Sequence, residues 1–509
     1  MWKRIIAFWR KVKRSMPWTL NFYASASCPQ APASIDTTIR PAPDPQLTLP
    51  AAGGTFLDPT YGTTILRVTD RTTAAQCYHA YTWSAFNSDN SYFMINTGGG
   101  WQLYNFNGAA MTSSFNKTLV DGSGLALQFL NGRWHPTNPA IMYVMENVTT
   151  NRKLWSFNVD TLVATLVHDF TSDMPTGGYP FAMGISTDGR YFSFATSSTA
   201  GQDAGDYVCA YDIETDTAYV LDFATYSGFS TIHSVWMDRS GQYFFIQRAS
   251  PYTAGSNVLW IWDYKAGTTP QDVLIYNSSD QPTGHATLGY RKYYNGDIWN
   301  GGVLLSRDLS SPHNTTTSVV YPTFSGDRIN WLEDHHLTHD NSSACPYNFF
   351  QSSYLNYQVT GWTLESGRIY QRTGFTATLV GQAPDQFYHN GITMAEQAGT
   401  PTDAGQWYFN SGSNVLYAWL FNSATATDTS TNVLVPFAWT ACMEEIIQLY
   451  VGDTNQSEWR RLAHHHAHWN AYDGYLDTPR LCVDMSGQYV MFDSAWGGTN
   501  VDVFIVKVP

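Results

Sequence analysis

Histidine is the residue type in this chain whose placement most directly suggests chemistry. His233 opens an apolar run ahead of a Gly241 turn, and His285 does the same ahead of a weaker turn at Asn295. His335, His336 and His339 occupy the corresponding stretch before Asn341, so three consecutive units each offer imidazole at one place. Neutral imidazole suits Zn, Mn, Fe or Ni, and His336 and His339 would add two ligands from one segment. Glu333 and Asp334 would serve as further ligands or would orient the rings. The expectation is a divalent metal (Mn, Zn or Ca) held by His233, His285, His336 and His339. The plainer alternative, that each ring only hydrogen-bonds backbone around a wet channel, stays open.

Beside His285 lies Gly289-Tyr290-Arg291-Lys292. Strand side chains alternate, so Tyr290 or Arg291 would face the same opening as the histidines. An arginine next to a cation can hold a carboxylate through two parallel hydrogen bonds. Tyr290 and Arg291 are therefore the candidate catalytic residues, with an ordinary cross-strand ion pair as the alternative. The run His464-His465-His466-Ala467-His468 looks even more like a metal sequence, but His-rich tracts also occur as polar loops, and that reading is preferred. G-x-S-x-G, H-E-x-x-H, P-loop and dinucleotide fingerprints are absent, and with no C-x-x-C a cysteine zinc site is not supported. Cys209 and Cys482 fall within strand-like runs and read as buried small apolar residues.

What must position these residues is a repeat. An alternating apolar strand meets a tight Asp/Asn/Ser/Gly turn, and an aromatic strand follows. The instances are Asn87–Phe93, Pro136–Tyr143, Ser186–Phe192, Asp238–Phe244, Tyr294–Asp297, Asp340–Ser343, Asp403–Tyr408 and Asp484–Val490. Gly and Asn supply the positive φ of a hairpin turn, and successive turns recur about every 50 residues, the period of four-stranded propeller blades. The expected fold is all-β: a single β-propeller of eight, alternatively seven, four-stranded blades. In such a ring the first strand of each blade lines the central channel, which is why equivalent histidines on neighbouring blades would converge. Thr64–Val68 is expected to add the outer strand of the last blade and so close the ring. Met443, Ile446, Ile447, Tyr450 and Val451 recur at helical intervals, predicting one short inserted helix over 439–451.

Residues 1–28 hold Trp2, Ile5, Ile6, Trp9 and Val12 at helical spacing among bases. They read as a basic N-terminal helix on a membrane surface, or as a secretion signal with Ala24-Ser25-Ala26 as its cleavage site. Residues 29–55 form a Pro-rich linker, and 56–509 the propeller. The formal charge of −14, despite six bases in the first fourteen residues, leaves no broad basic field for nucleic acid. Aromatic residues at 15% outnumber charged ones at 13%, a balance that suits half-buried strands and opposes disorder.

The repeats SGQY and TDGRYFSF, and the ending Pro479–Ser494, resemble bacterial TolB-like and WD40-like propellers over residues 56–509. Within that group the histidines look like those of the oligogalacturonate lyase family. The resemblance implies a metal at the channel mouth, held by His and Gln, that binds a uronate carboxylate for β-elimination. His285, His336 and His339 match its ligands, with His233 as an added candidate; the family's glutamine has no assigned counterpart, and the family has seven blades where this chain shows eight turns. The expected function is a secreted or cell-envelope carbohydrate-active propeller, a metal-dependent polysaccharide or oligouronide lyase, with polysaccharide or oligosaccharide as partner. The alternative is a non-catalytic propeller that binds glycans or proteins.

Overall fold

The computed structural model describes residues 48–509 apart from shorter stretches and the longer segments 71–77, 198–204, 226–231, 249–258, 273–286, 309–318, 321–346, 374–385, 421–430, 451–458 and 469–480. The leader 1–28 and most of the linker 29–55 lie outside the described residues. Strands β1 (Thr55–Leu57) and β2 (Thr64–Arg67) come first. Five antiparallel four-stranded blades follow in chain order. Blade one holds β3 (Tyr78–His79), β4 (Tyr92–Asn96), β5 (Trp101–Asn107) and β6 (Thr112–Thr118). Blade two holds β7 (Leu127–Trp134), β8 (Ile141–Glu146), β9 (Lys153–Asn158) and β10 (Val163–Asp169). Blade three holds β11 (Tyr179–Ile185), β12 (Tyr191–Ser197), β13 (Gly205–Asp212) and β14 (Thr217–Asp222). Blade four holds β15 (Ile232–Met237), β16 (Phe244–Arg248), β17 (Leu259–Trp262) and β18 (Gln271–Asp272). Blade five holds β19 (Thr287–Leu288), β20 (Tyr293–Ile298), β21 (Val303–Asp308) and β22 (Val319–Val320).

A sixth sheet pairs β23 (Tyr347–Gln351) with two strands found much later in the chain, β32 (Cys442–Tyr450) and β33 (Trp459–His468). Between β23 and β32 the chain builds a separate eight-stranded sheet. Its strands are β24 (Tyr354–Gln358), β25 (Thr363–Ser366), β26 (Ile369–Thr373), β27 (Gln386–His389), β28 (Ile392–Glu396), β29 (Gln406–Asn410), β30 (Val415–Trp419) and β31 (Thr431–Pro436). The last blade is composite. β34 (Cys482–Val483), β35 (Tyr489–Ser494) and β36 (Asp502–Lys507) are extended by β2 and β1, in the order β1-β2-β36-β35-β34. As expected from Thr64–Val68, β2 pairs with β36, Leu66 opposite Ile505. Arg67 gives its Nη2 to Asp502 at 2.6 Å, Thr69 gives its hydroxyl to the same carboxylate at 2.7 Å, and the ring is clasped.

Each apolar cluster is shared by two neighbouring sheets. Phe181, Ala195 and Val208 of blade three pack with Val235, Met237 and Phe244 of blade four. Met94 and Leu103 of blade one pack with Phe129, Met142 and Phe157 of blade two. Leu66, Met491 and Ile505 of the closing blade meet Phe86 and Phe93 of blade one. A blade buried on both faces needs near-continuous apolar strands, and Val503, Phe504, Ile505 and Val506 are all fully buried.

In blades one, three and four and in the closing blade the first hairpin is built by the side chain at its first position. Asp238 Oδ1 accepts the backbone N–H groups of Gln242 and Tyr243, both at 2.8 Å, and Asp484 does the same for Gln488 and Tyr489 at 2.7 and 2.8 Å. Asn87 accepts from Tyr92, and the Ser186 hydroxyl accepts from Tyr191. The repeated Asp-x-Ser-Gly-Gln-Tyr is therefore a folding element rather than a catalytic one. Gly241 closes its hairpin at φ 68°, and an added Cβ would run into the Tyr191 ring and come within 2.9 Å of Ser186 Cβ on the preceding blade. Gly241→Ala is expected to cost about 1–3 kcal/mol from overpacking, with a left-handed backbone penalty of roughly 1 kcal/mol added. A denaturant midpoint unchanged from wild type would refute this.

Two expectations are corrected. The segment 439–451 supplies strand β32, not a helix. Its register shifts twice against β33, between Met443 and Glu445 and between Ile446 and Ile447. Both extra residues fall on β33, so β32 keeps its two-residue period; it is the central strand of its sheet, between β23 and β33, and apolar residues on both of its faces fall at helix-like intervals. The turn Asp403-Ala404-Gly405 is not a blade hairpin, because β28 and β29 on either side of it pair in parallel within the inserted sheet. β33 packs directly on the closing blade, through Leu462 and Ala463 against Val490 and Phe492. Among the described residues the ring thus comprises seven sheets, and the eighth is an insertion.

Candidate functional site at the channel mouth

The first strands of the blades stand side by side, β11 between β7 and β15, and β15 next to β19. Close approach is visible at Gly184 of β11, where a Cβ would lie 3.3 Å from the Met237 backbone nitrogen of β15. Among the described blades the first hairpins emerge on one face of the ring. The connections from second to third strand emerge on the other, which is the mouth face.

His233 is the second residue of β15 and sits at the mouth end of an innermost strand. Register is Ile232 to Arg248 and then Ser234 to Gln247, so His233 is the extra residue of a bulge. The inner strands β7 and β11 also lose register, between Gln128 and Arg133 and between Phe181 and Gly184. Bulges of this kind re-aim side chains next to functional openings. His79 takes a similar place on β3, paired with Ile95, and was not singled out from the sequence. The two-residue strand that carries it gives no periodic signal.

His285, Tyr290, Arg291, His336 and His339 lie outside the described residues. β19 ends at Leu288, opposite Tyr294 near the start of β20, on the hairpin side. In sequence, His285 precedes that strand and Tyr290 and Arg291 follow it. Among the described residues no group of three or more His, Cys, Asp or Glu side chains is disposed to hold a metal. The fit to a metal therefore rests on His233, whose residue type and position on the inner strand are those that a mouth site requires.

Arg152 is a mouth-face cation that sequence reasoning missed. It immediately precedes β9, is 3% exposed, and its Nε and Nη1 have no hydrogen-bond partner among the described residues. Unmet N–H groups on a buried guanidinium are costly, which makes Arg152 a candidate for meeting an anion. Arg152→Met is expected to leave stability unchanged or to raise it by about 1–4 kcal/mol. A drop in melting temperature would show that the charge is already compensated.

The His464–His466 run is buried on the closing blade and is not part of an inner strand. His464 is fully buried between the sixth sheet and the closing blade, its backbone N–H donating to Asp58 Oδ2 at 2.7 Å and its Nδ1 3.3 Å from the same oxygen. The His466 ring lies 4.2 Å from that of Trp496, and the Tyr61 ring lies 5.0 Å from that of His464. Burial pushes the Asp58 carboxyl up, but hydrogen bonds and charge from His464 outweigh it and hold Asp58 below the usual range. The run is inter-blade cement. Cys209 and Cys482 are buried free thiols, as expected; burial pushes the Cys482 thiol well up, so neither is a nucleophile. A cavity of about 600 Å³ bounded by Asn90, Phe106, Gly108, Gln488 and Tyr489 opens on the hairpin face, opposite His233.

A solved oligogalacturonate lyase in complex with manganese superposes on 91% of this chain and 98% of its own, with TM-score 0.51 at 11% identity. The fold is a β-propeller. An oligogalacturonate lyase from Vibrio parahaemolyticus covers 90% of this chain and 99% of its own at TM-score 0.48 and 11% identity. A putative TolB from Agrobacterium tumefaciens covers 49% of this chain and 89% of its own at TM-score 0.32 and 12% identity. No family model matches the chain, and no curated protein matches it. At these identities the likeness concerns the propeller architecture alone.

Proposed function

We propose that this propeller is a carbohydrate-active protein of the cell envelope or exterior, and that its mouth face is a metal-dependent lyase site for oligouronides. The observation that carries the reading is His233 at the bulged mouth end of an innermost strand. What supports it further is the propeller likeness to a structure described as oligogalacturonate lyase in complex with manganese. His233, His285, His336 and His339 would hold the metal, which when bound would draw charge from the C6 carboxylate and so acidify the C5 proton. Arg152, on the mouth face, is the candidate partner for that carboxylate through paired hydrogen bonds; Arg291, with Tyr290 beside it, follows the hairpin-side end of β19 in sequence and is the alternative that the arginine variants below test. Departure of the C5 proton and cleavage of the O4 bond would leave an unsaturated uronate.

The test combines metal analysis of the purified protein with the ultraviolet absorbance of unsaturated products on oligogalacturonate. About one transition metal per chain is expected, together with a rise in absorbance. His233→Ala and His285→Ala should each lower kcat by about 100-fold or more, since even outer partners of metal ligands cost 10–100-fold. Absence of both metal and product would remove the lyase and leave the non-catalytic glycan-binding reading. Arg291→Ala and Arg152→Met separate the two arginines, the true partner being the one whose loss raises KM.

A further inference from the structure

The eight-stranded insertion leaves the ring on the mouth face. β33 runs from the hairpin side, where the Leu462 carbonyl accepts from Thr63, to the mouth side, where His466 meets Trp496 in the connection between β35 and β36. Antiparallel pairing then makes β32 run back and β23 run toward the mouth, so the chain from β23 to β24 departs there.

Half of this insertion is a four-strand array whose register defines two faces. Tyr408 stands opposite Tyr417, Tyr417 opposite Gln371, and Gln371 opposite Thr363. The next rows on the same face are Gln406, Trp419 and Ile369, and Asn410, Val415 and Thr373. The other face is the packed one, with Trp407, Leu416, Ala418 and Tyr370 buried. On the first face Tyr408, Tyr417, Trp419 and Gln371 are only half-buried. The rings of Tyr408 and Tyr417 are nearly parallel, 16° apart with centroids separated by 6.1 Å. The Trp419 Nε1–H has no acceptor among the described residues.

We propose that this face is a binding platform for a neutral polysaccharide, separate from the candidate lyase site and independent of it. Parallel aromatic rings offer apolar faces to the C–H sides of pyranose rings, while amides and hydroxyls meet sugar hydroxyl groups, the amphipathic pairing at which Tyr and Trp excel. None of the residues in these rows is charged, which selects a neutral polymer over a uronate. A chain held here would be kept on the mouth side of the ring.

Affinity electrophoresis through gels containing xyloglucan, mixed-linkage β-glucan, galactan or polygalacturonate tests the proposal on the full-length protein. At least one neutral polymer is expected to retard it. Tyr408→Ala and Tyr417→Ala should weaken that retardation about tenfold or more, as truncation of aromatic anchors does. Tyr417→Phe should retain most of it, and Gln371→Ala, which leaves both rings in place, should lose less than either Ala variant. Retardation by no neutral polymer, or equal retardation of wild type, Tyr417→Ala and Gln371→Ala, would overturn the proposal. Product release from short oligouronides should be unchanged in all four variants, so failure of the platform and failure of the lyase are read separately.

Discussion

Arg67→Ala should destabilise the protein by about 3–5 kcal/mol, the cost of leaving a buried charge without its partner. Asp502 is 4% exposed, and Arg67 Nη2 reaches it at 2.6 Å. The same guanidinium also meets Asp70 at 2.9 Å and the Pro50 carbonyl at 2.8 Å, so one side chain ties the segments before and after β2 to β36. Removing it takes the guanidinium from Asp502, whose other oxygen keeps the Thr69 hydroxyl at 2.7 Å. Equilibrium urea unfolding followed by tryptophan fluorescence measures the loss. A change below about 1 kcal/mol, the size of a surface ion pair, would mean that the clasp is solvated and does not hold the ring.

Asp58→Asn is expected to cost about 2–3 kcal/mol near neutral pH. Asp58 is 1% exposed; Oδ1 accepts the N–H groups of Thr60 and Tyr61 at 2.8 Å, and Oδ2 accepts that of His464 at 2.7 Å. An amide serves only one side of this arrangement, and its NH2 would face a donor on the other. Because the folded Asp58 carboxyl titrates below its unfolded value, its contribution is complete above the ordinary carboxylate pKa of about 3.9 and is lost as pH falls through the folded value. The stability gap between wild type and Asp58→Asn should therefore be constant from pH 5 upward and narrow below about pH 4. A gap that persists unchanged in acid would assign the effect to packing.

The blades were legible because a first hairpin of this kind needs an acceptor at its first position and a residue tolerant of positive φ. Asp238 and Asp484, with Gly241 and Gly487, display that requirement in the sequence itself. The closing role of Thr64–Val68 was equally plain, since an apolar strand at the start of a repeat array has one place to pair. The Asp403 turn misled because a Gly at φ 80° looks the same whether its flanking strands pair with each other as a hairpin or in parallel. Strand β32 misled because a central strand carries apolar residues on both faces, and their spacing imitates a helical period. The candidate site was less legible: His233 was recognisable by its place in the repeat, whereas His79 and Arg152 depend on neighbours contributed by other blades. Glutamine 371 and Tyr417 likewise share a face only through the pairing of β26 with β30, which no local pattern encodes.

The closing blade also dictates a schedule for biosynthesis. Arg67 and Asp502 are 435 residues apart, so the partner strand of β2 is made long after β2 itself. At roughly 5–20 residues per second, β2 waits about 20–90 seconds after its own emergence from the ribosome. Throughout that interval Ile65 and Leu66 lack the cover of β36, and β2 has no partner on that edge. Chaperone engagement, or slow release from the translation machinery, would matter most for that stretch.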